Sequence, residues 1–190
     1  MCSFVLGGDL ASMTVARDQE LEELRRWLLG RVWPGRYPTL ERAFASFRMV
    51  LQDFQNTFRK HAEKPTPDSD WLFTVKFYQI REWDEERYER LSKKYSCHVA
   101  LVDDLMLELT RAANLICDEV RSLLMPTFRL AQGHLLIESG PHLPDASWRT
   151  FTVHYSKEEK AEPFPYPGLK AFKQARFTRD RWFGDRKGEY

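Results

Sequence analysis

The chain has 190 residues, with 29 basic against 28 acidic side chains and an aromatic content of 14%. That length fills one well-buried domain and is short for two. The near-neutral balance excludes a protein that binds polyanions through overall charge, and no apolar run reaches the about 18 residues that a bilayer crossing needs.

The opening stretch, MCSFVLGGDLASM, lacks a basic n-region and is not read as a signal peptide. Residues 1–16 are expected to be disordered or tucked against the body of the protein. Asp18 can cap a first helix to about Gly30, with Leu21, Leu24 and Leu28 on one face. Pro34, Gly35 and Pro38 set a turn. A second helix is predicted from Thr39 to about Ala62, with Leu40, Phe44, Phe47, Leu51, Phe54 and Phe58 as its stripe. Lys64 to Asp70 is a loop. Trp71 to Ile80 partly alternates like a strand, but Phe73, Phe77 and Ile80 also fit a helical face. One helix from Trp71 to Tyr95 is the preferred reading, with a turn at Ser96 and Cys97.

The stretch from His98 to Met125 carries the strongest periodicity. Val102, Leu105, Leu109, Ala112, Ile116, Val120 and Leu123 recur at steps of three and four and make one side of a helix. Asp103, Asp104, Arg111, Asn114, Asp118, Arg121 and Ser122 fall on the opposite, expectedly solvated side, and Leu107 falls among them. Pro126 ends the helix. Beyond it, Thr127–Glu138 and Trp148–Tyr155 read as two strands of an antiparallel hairpin. In the second, Phe151, Val153 and Tyr155 face one way and Thr150, Thr152 and His154 the other. Such a hairpin needs the helices or a third strand to be stable. Lys157 to Gly168 is a proline-containing linker, and Leu169 to Tyr190 a basic and aromatic tail.

These elements predict a mainly α protein. Residues 17–156 form one domain, a four-helix, roughly up-and-down antiparallel bundle with a hairpin at 127–156. The linker and irregular tail occupy 157–190. Cys2, Cys97 and Cys117 form no CxxC pair, and their sparse use fits a reducing cytoplasm. Cys117 reads as a small buried apolar residue.

Motifs for common chemistries are missing. No phosphate-cradling GxxxxGK[ST], no GxGxxG after a strand, no HExxH and no GxSxG occurs. No catalytic residue, metal ligand or cofactor is assigned. His61 and His98 each continue an apolar stripe, so they can face one another and ligate a metal or haem, or be ordinary histidines at helix ends. Asp104 and Glu108, one turn apart, can share a cation or form a solvated face with Arg111 nearby. Helical HEPN ribonucleases pair an Arg with a His a few residues on, and the chain resembles them in this spacing at Arg129–His134 and Arg149–His154. Both pairs fall in predicted strands, and Leu130 and Thr150 stand where a polar residue usually follows the Arg.

The tail interleaves Lys170, Lys173, Arg176, Arg179, Arg181, Arg186 and Lys187 with Phe172, Phe177, Trp182 and Phe183. It can dock on its own domain, enter a partner protein, or bind single-stranded nucleic acid through phosphate contact and base stacking. The leading expectation is a non-enzymatic cytoplasmic interaction or regulatory module. A protein partner, in a hetero- or homo-oligomer, would bind through the hairpin and tail at Trp148, Phe172, Arg176, Phe177, Arg179, Arg181, Trp182 and Phe183. The alternative is a nucleic-acid-binding protein or metal-independent ribonuclease using the tail and an Arg–His pair. No membrane role is expected.

Overall fold

A helix of 39 residues, α3 (Glu85–Leu123), is the axis of the computed structural model, which describes residues 3–6, 11–142 and 145–184. Asp84 caps it by accepting from the Arg87 N–H at 2.9 Å, and Glu85 and Glu86 occupy the first turn, where the helix dipole favours acids. The expected turn at Ser96–Cys97 does not occur. No glycine or proline interrupts the sequence between Asp84 and Pro126, and the Ser96 hydroxyl donates to the Ser92 carbonyl at 3.1 Å inside the helix.

The other long helices are α1 (Val15–Leu29) and α2 (Pro38–Arg59). Thr14, not Asp18, caps α1, its side chain accepting from Arg17 N–H at 3.2 Å. Asp18 instead ties α1 to α2: its carboxylate meets Arg59 at 2.9 Å and its backbone carbonyl accepts from the Gln55 amide at 3.2 Å. Pro38 opens α2 at the position where a missing N–H costs nothing. Val50, Leu51, Phe54 and Phe58 of α2 pack with Leu101, Leu105, Leu109 and Ala112 of α3 in the main core.

Trp71–Thr74 is a strand rather than the start of a helix. With β2 (Ser12–Thr14) and β3 (Ala62–Glu63), this strand, β4, forms a small antiparallel sheet in the order β2-β4-β3. Non-local pairing of Met13 with Leu72 and Ala62 with Thr74 overrides the helical spacing of Phe73 and Phe77. The described residues are therefore mainly helical, with three long helices where four were expected. None is long and apolar enough to cross a membrane.

After α3 the chain makes successive turns to Gly133, which has φ +66°. Left-handed backbone here delays the strand expected from Thr127, so β5 runs from Leu136 to His142. It pairs antiparallel with β6 (Ser147–Thr152) and parallel with β1 (Ser3–Leu6), which adds the third strand in the order β1-β5-β6. Gly140 is required at the irregularity in this hairpin, because a Cβ would lie 2.7 Å from the Ser147 carbonyl oxygen. Asn114 of α3 pins the sheet. Its amide donates to the Leu135 and Val153 carbonyls at 3.2 and 3.1 Å, and its oxygen accepts from Leu135 N–H at 2.9 Å. Ile137, Val153 and Tyr155 thereby enter the core. Two short helices, α4 (Lys157–Ala161) and α5 (Leu169–Ala175), and a 3-10 turn at Arg176–Thr178 follow.

Candidate functional site

The side of α3 expected to face water is covered. Asp103, Asp104, Leu107, Glu108, Arg111 and Asn114 are all buried, so α3 is enclosed all round through its middle turns. The cover is the segment after Gly168. Phe172 of α5 is buried against Tyr166, ring centroids 5.4 Å apart, and Tyr166 donates to Asp53 of α2 at 2.7 Å.

Charge pairing completes the closure. Arg176, 1% exposed, pairs with Asp104, which also accepts the Phe183 N–H at 2.6 Å. Arg179 pairs with Glu108 at 3.0 Å and with Glu159 of α4, and donates to the Pro165 carbonyl at 2.9 Å. Arg111 joins Glu108, at 3.2 Å, to Asp180. Thus the Asp104–Glu108 pair, expected on a solvated face, meets guanidinium groups in the interior. Buried charges persist when paired and hydrogen-bonded in this way, because desolvation is otherwise prohibitive. Burial still pushes Asp104 up to about 7 against the pull of Arg176. Asp103 is also pushed up to about 7, by burial first and by Asp104 second, and no described donor reaches it.

The hairpin and the tail meet in a cleft of about 290 Å³. Leu107 and Ser139 lie at its floor; Arg149 and Phe151 of β6 face Arg181, Trp182 and Phe183 across it. The Arg181 guanidinium sits 4.3 Å from the Phe151 ring centroid. Trp182 stands edge-on to Phe177 at 5.2 Å, and Arg176 covers the Phe177 ring at 4.9 Å. Trp148, on the same strand as Arg149, is 54% exposed.

Of the expected partner contacts, Trp148 and Arg181 are exposed, Trp182 and Phe183 are half-buried at the cleft, and Phe177 is half-buried beside Trp182. Phe172 and Arg176 are buried and hold the tail to α3, as does Arg179, whose side chain is 9% exposed. Lys170 is exposed; Arg186 and Lys187 lie outside the described residues. Sequence reasoning named Arg149 only with His154 and Phe151 only as a strand residue, and it missed Asp180; all three line this cleft. The docking of the tail had a signal of its own in reciprocal spacing: carboxylates at 104 and 108 one helical turn apart, arginines at 176 and 179 likewise.

The histidines meet in two pairs. His134 and His154 are edge-on at 4.5 Å, while Arg149 lines the cleft with Phe151 and neither histidine does. Neither Arg–His spacing therefore places both members in this cleft. Burial, with His134 beside it, lowers the His154 pKa. His61 and His98 face each other at 4.7 Å, as their stripes predicted. Cys97 and Cys117 are free thiols, and burial raises the Cys117 pKa. Among the described residues no group of three or more His, Cys, Asp or Glu side chains is placed to hold a metal. No protein-family model, curated protein or solved structure matches this chain.

Proposed function

We propose that the protein is a non-enzymatic cytoplasmic interaction or regulatory module whose protein partner binds the face shared by hairpin and tail. The observation that carries this reading is the cleft itself, which joins Arg149 and Phe151 of β6 to Arg181, Trp182 and Phe183. Beside it β6 is the outer strand of its sheet, with Trp148, Arg149, Thr150 and Thr152 exposed. An outer strand offers backbone donors and acceptors to an added strand, and alternate side-chain pockets supply specificity. The two arginines favour an acidic residue in that segment, and the aromatic walls favour an apolar neighbour.

The nucleic-acid alternative has less support, because Arg176 and Arg179 are committed to internal carboxylates. A photo-crosslinking residue in place of Trp148, compared with one at exposed Val32, tests the reading in cells. The expected result is one discrete protein adduct from position 148, lost on adding Arg149→Glu and Arg181→Glu, and none from position 32. Equal adducts from both positions, or none from 148, would overturn it. Salt-sensitive binding of single-stranded RNA that the same two substitutions abolish would favour the alternative.

A further inference from the structure

The outward side of α1 carries a second stripe, separate from the one that faces α2. Glu20, Leu24, Trp27 and Arg31 recur at steps of four, three and four, so they share one side of the helix and of the turn that extends it. All four are exposed, Trp27 by 48%. The Arg31 N–H donates to the Leu28 carbonyl at 3.5 Å, which keeps Arg31 in register with the helix. Behind the stripe α1 is fixed: Leu21 and Leu28 are buried, and Asp18 pairs with Arg59 of α2. The Arg31 guanidinium lies 4.2 Å from the Trp27 ring centroid, and Glu20 pairs with Arg17 at 2.8 Å. Beyond Arg31 the chain leaves the stripe for α2, where Trp33 stacks on Phe44 with centroids 4.8 Å apart.

Ordinary causes account for each residue singly. Single exposed apolar side chains are common, and a surface ion pair contributes little. Those causes do not account for the order, which is acid, apolar, apolar, base. Two such helices packed in the same direction would set Glu20 on Glu20 and Arg31 on Arg31. Packed in opposite directions, about a two-fold axis midway between Leu24 and Trp27, they match in every layer. Glu20 and Arg31 lie symmetrically about that axis, as Leu24 and Trp27 do. Each Glu20 then meets Arg31 of the second copy, and each Leu24 meets its Trp27. Steps of four and three are also the spacing at which two packed helices keep one seam in contact.

We propose that this stripe is a self-association surface whose occupant is a second copy of the chain. The two α1 helices pack antiparallel across a two-fold axis, with Leu24 and Trp27 interleaved at the centre and Glu20–Arg31 pairs at both ends. A two-fold interface uses the same patch on both chains, so the patch must complement its own reverse, as this stripe does. The charges select the direction, because like charges facing each other in the parallel arrangement are penalised. Arg31 already covers the Trp27 ring, so its stem shields the apolar centre while its head reaches the second Glu20. Four residues a side make a small interface, and the dimer therefore belongs to the weak, concentration-dependent class. The stripe shares no residue with the hairpin–tail cleft, so the two readings stand or fall separately.

The test is sedimentation equilibrium of the full purified chain from low to high micromolar concentration, with the same samples then mixed with anionic phospholipid vesicles. A reversible monomer–dimer equilibrium is expected. Glu20→Arg alone and Arg31→Glu alone should each weaken the dimer at least about tenfold, because both end layers then oppose like charges. An equimolar mixture of the two variants should recover it as a one-to-one heterodimer, since every end layer again pairs opposite charges. Lys157→Glu on α4 should leave the equilibrium unchanged. Both stripe positions are exposed, so the variants should keep the parent circular dichroism. A parent chain that stays monomeric at high micromolar, dimers indifferent to either reversal, or a mixture that fails to associate would overturn the proposal. Monomers captured by the vesicles through Trp27 would overturn it in favour of a lipid surface.

Discussion

Two basic clusters lie along α3 and are treated in opposite ways. Under the tail, Arg111, Arg176 and Arg179 interleave with Asp104, Glu108, Glu159 and Asp180, so each guanidinium has a carboxylate. At the α2–α3–α5 junction, Lys60 and Lys94 line a space with no described carboxylate, and neither forms an ion pair with a described residue. The arginine cluster is sealed and neutralised from within; the lysine cluster is open and positive. Planar guanidinium suits fixed multivalent pairing in an interior, whereas ammonium groups on flexible stems suit an exchangeable anion. Charge that is matched in the interior holds a fold together, whereas charge at an open pocket stays in contact with solvent.

The largest effect should come from unbalancing the sealed cluster. Arg176→Ala strands the Asp104 carboxylate in the interior and should cost about 3–5 kcal/mol, read from denaturant unfolding. Pairing it with Asp104→Leu should recover much of that loss; no recovery would mean that Arg176 acts through packing alone.

The two clusters should also respond oppositely to pH. Asp103 is raised from 3.8 to about 7, so the native state holds the extra proton and stability falls as pH rises from about 4 through 7. Asp103→Asn should remove that slope and stabilise the protein above pH 7 by on the order of 2 kcal/mol. His98 is lowered from 6.5 to about 4, so the unfolded state holds the extra proton and stability falls as pH drops from 6.5 toward 4. His98→Gln should remove that opposing slope, worth about 1–2 kcal/mol after allowance for partial solvent screening. Melting curves from pH 4 to 8 on the two variants separate the contributions; parallel profiles would refute the assignment.

The smallest effect sharpens the contrast from the other side. Lys94→Gln relieves repulsion in the open cluster and should stabilise the free protein by about 0.5 kcal/mol or less. A loss of stability instead would show that Lys94 has a structural partner.

Much of the fold was legible where local and tertiary signals agree. Leu21 and Leu28 of α1, Leu40, Leu51, Phe54 and Phe58 of α2, and Val153 and Tyr155 mark buried positions, whereas Leu24 of the α1 stripe is exposed. Trp71–Thr74 was misread because its strand state depends on Ser12–Thr14, far away in sequence. Leu107, Asp103 and Asp104 were misplaced for another reason. Periodicity identifies the more apolar side of a helix, and cannot show that a later segment will cover the polar side with matching charges. The cleft was half visible through Trp182 and Phe183, but Arg149 and Phe151 enter it only through the hairpin register. Facing histidines at 61 and 98 were foreseeable from their stripes; Lys94 and Lys173 were not, since nothing in a sequence says that lysines on different helices converge.

The parallel pairing of Ser3–Leu6 with Leu136–Ser139 has a kinetic consequence. The helical body lies between these partners, so their union closes a long loop and belongs among the slow, late steps of folding. During synthesis the first strand waits until β5 has left the ribosome. Until it arrives, the inner strand of that sheet displays a bare edge, able to recruit the same segment from another chain. Refolding at high concentration should therefore yield strand-exchanged dimers, and dilution should suppress them.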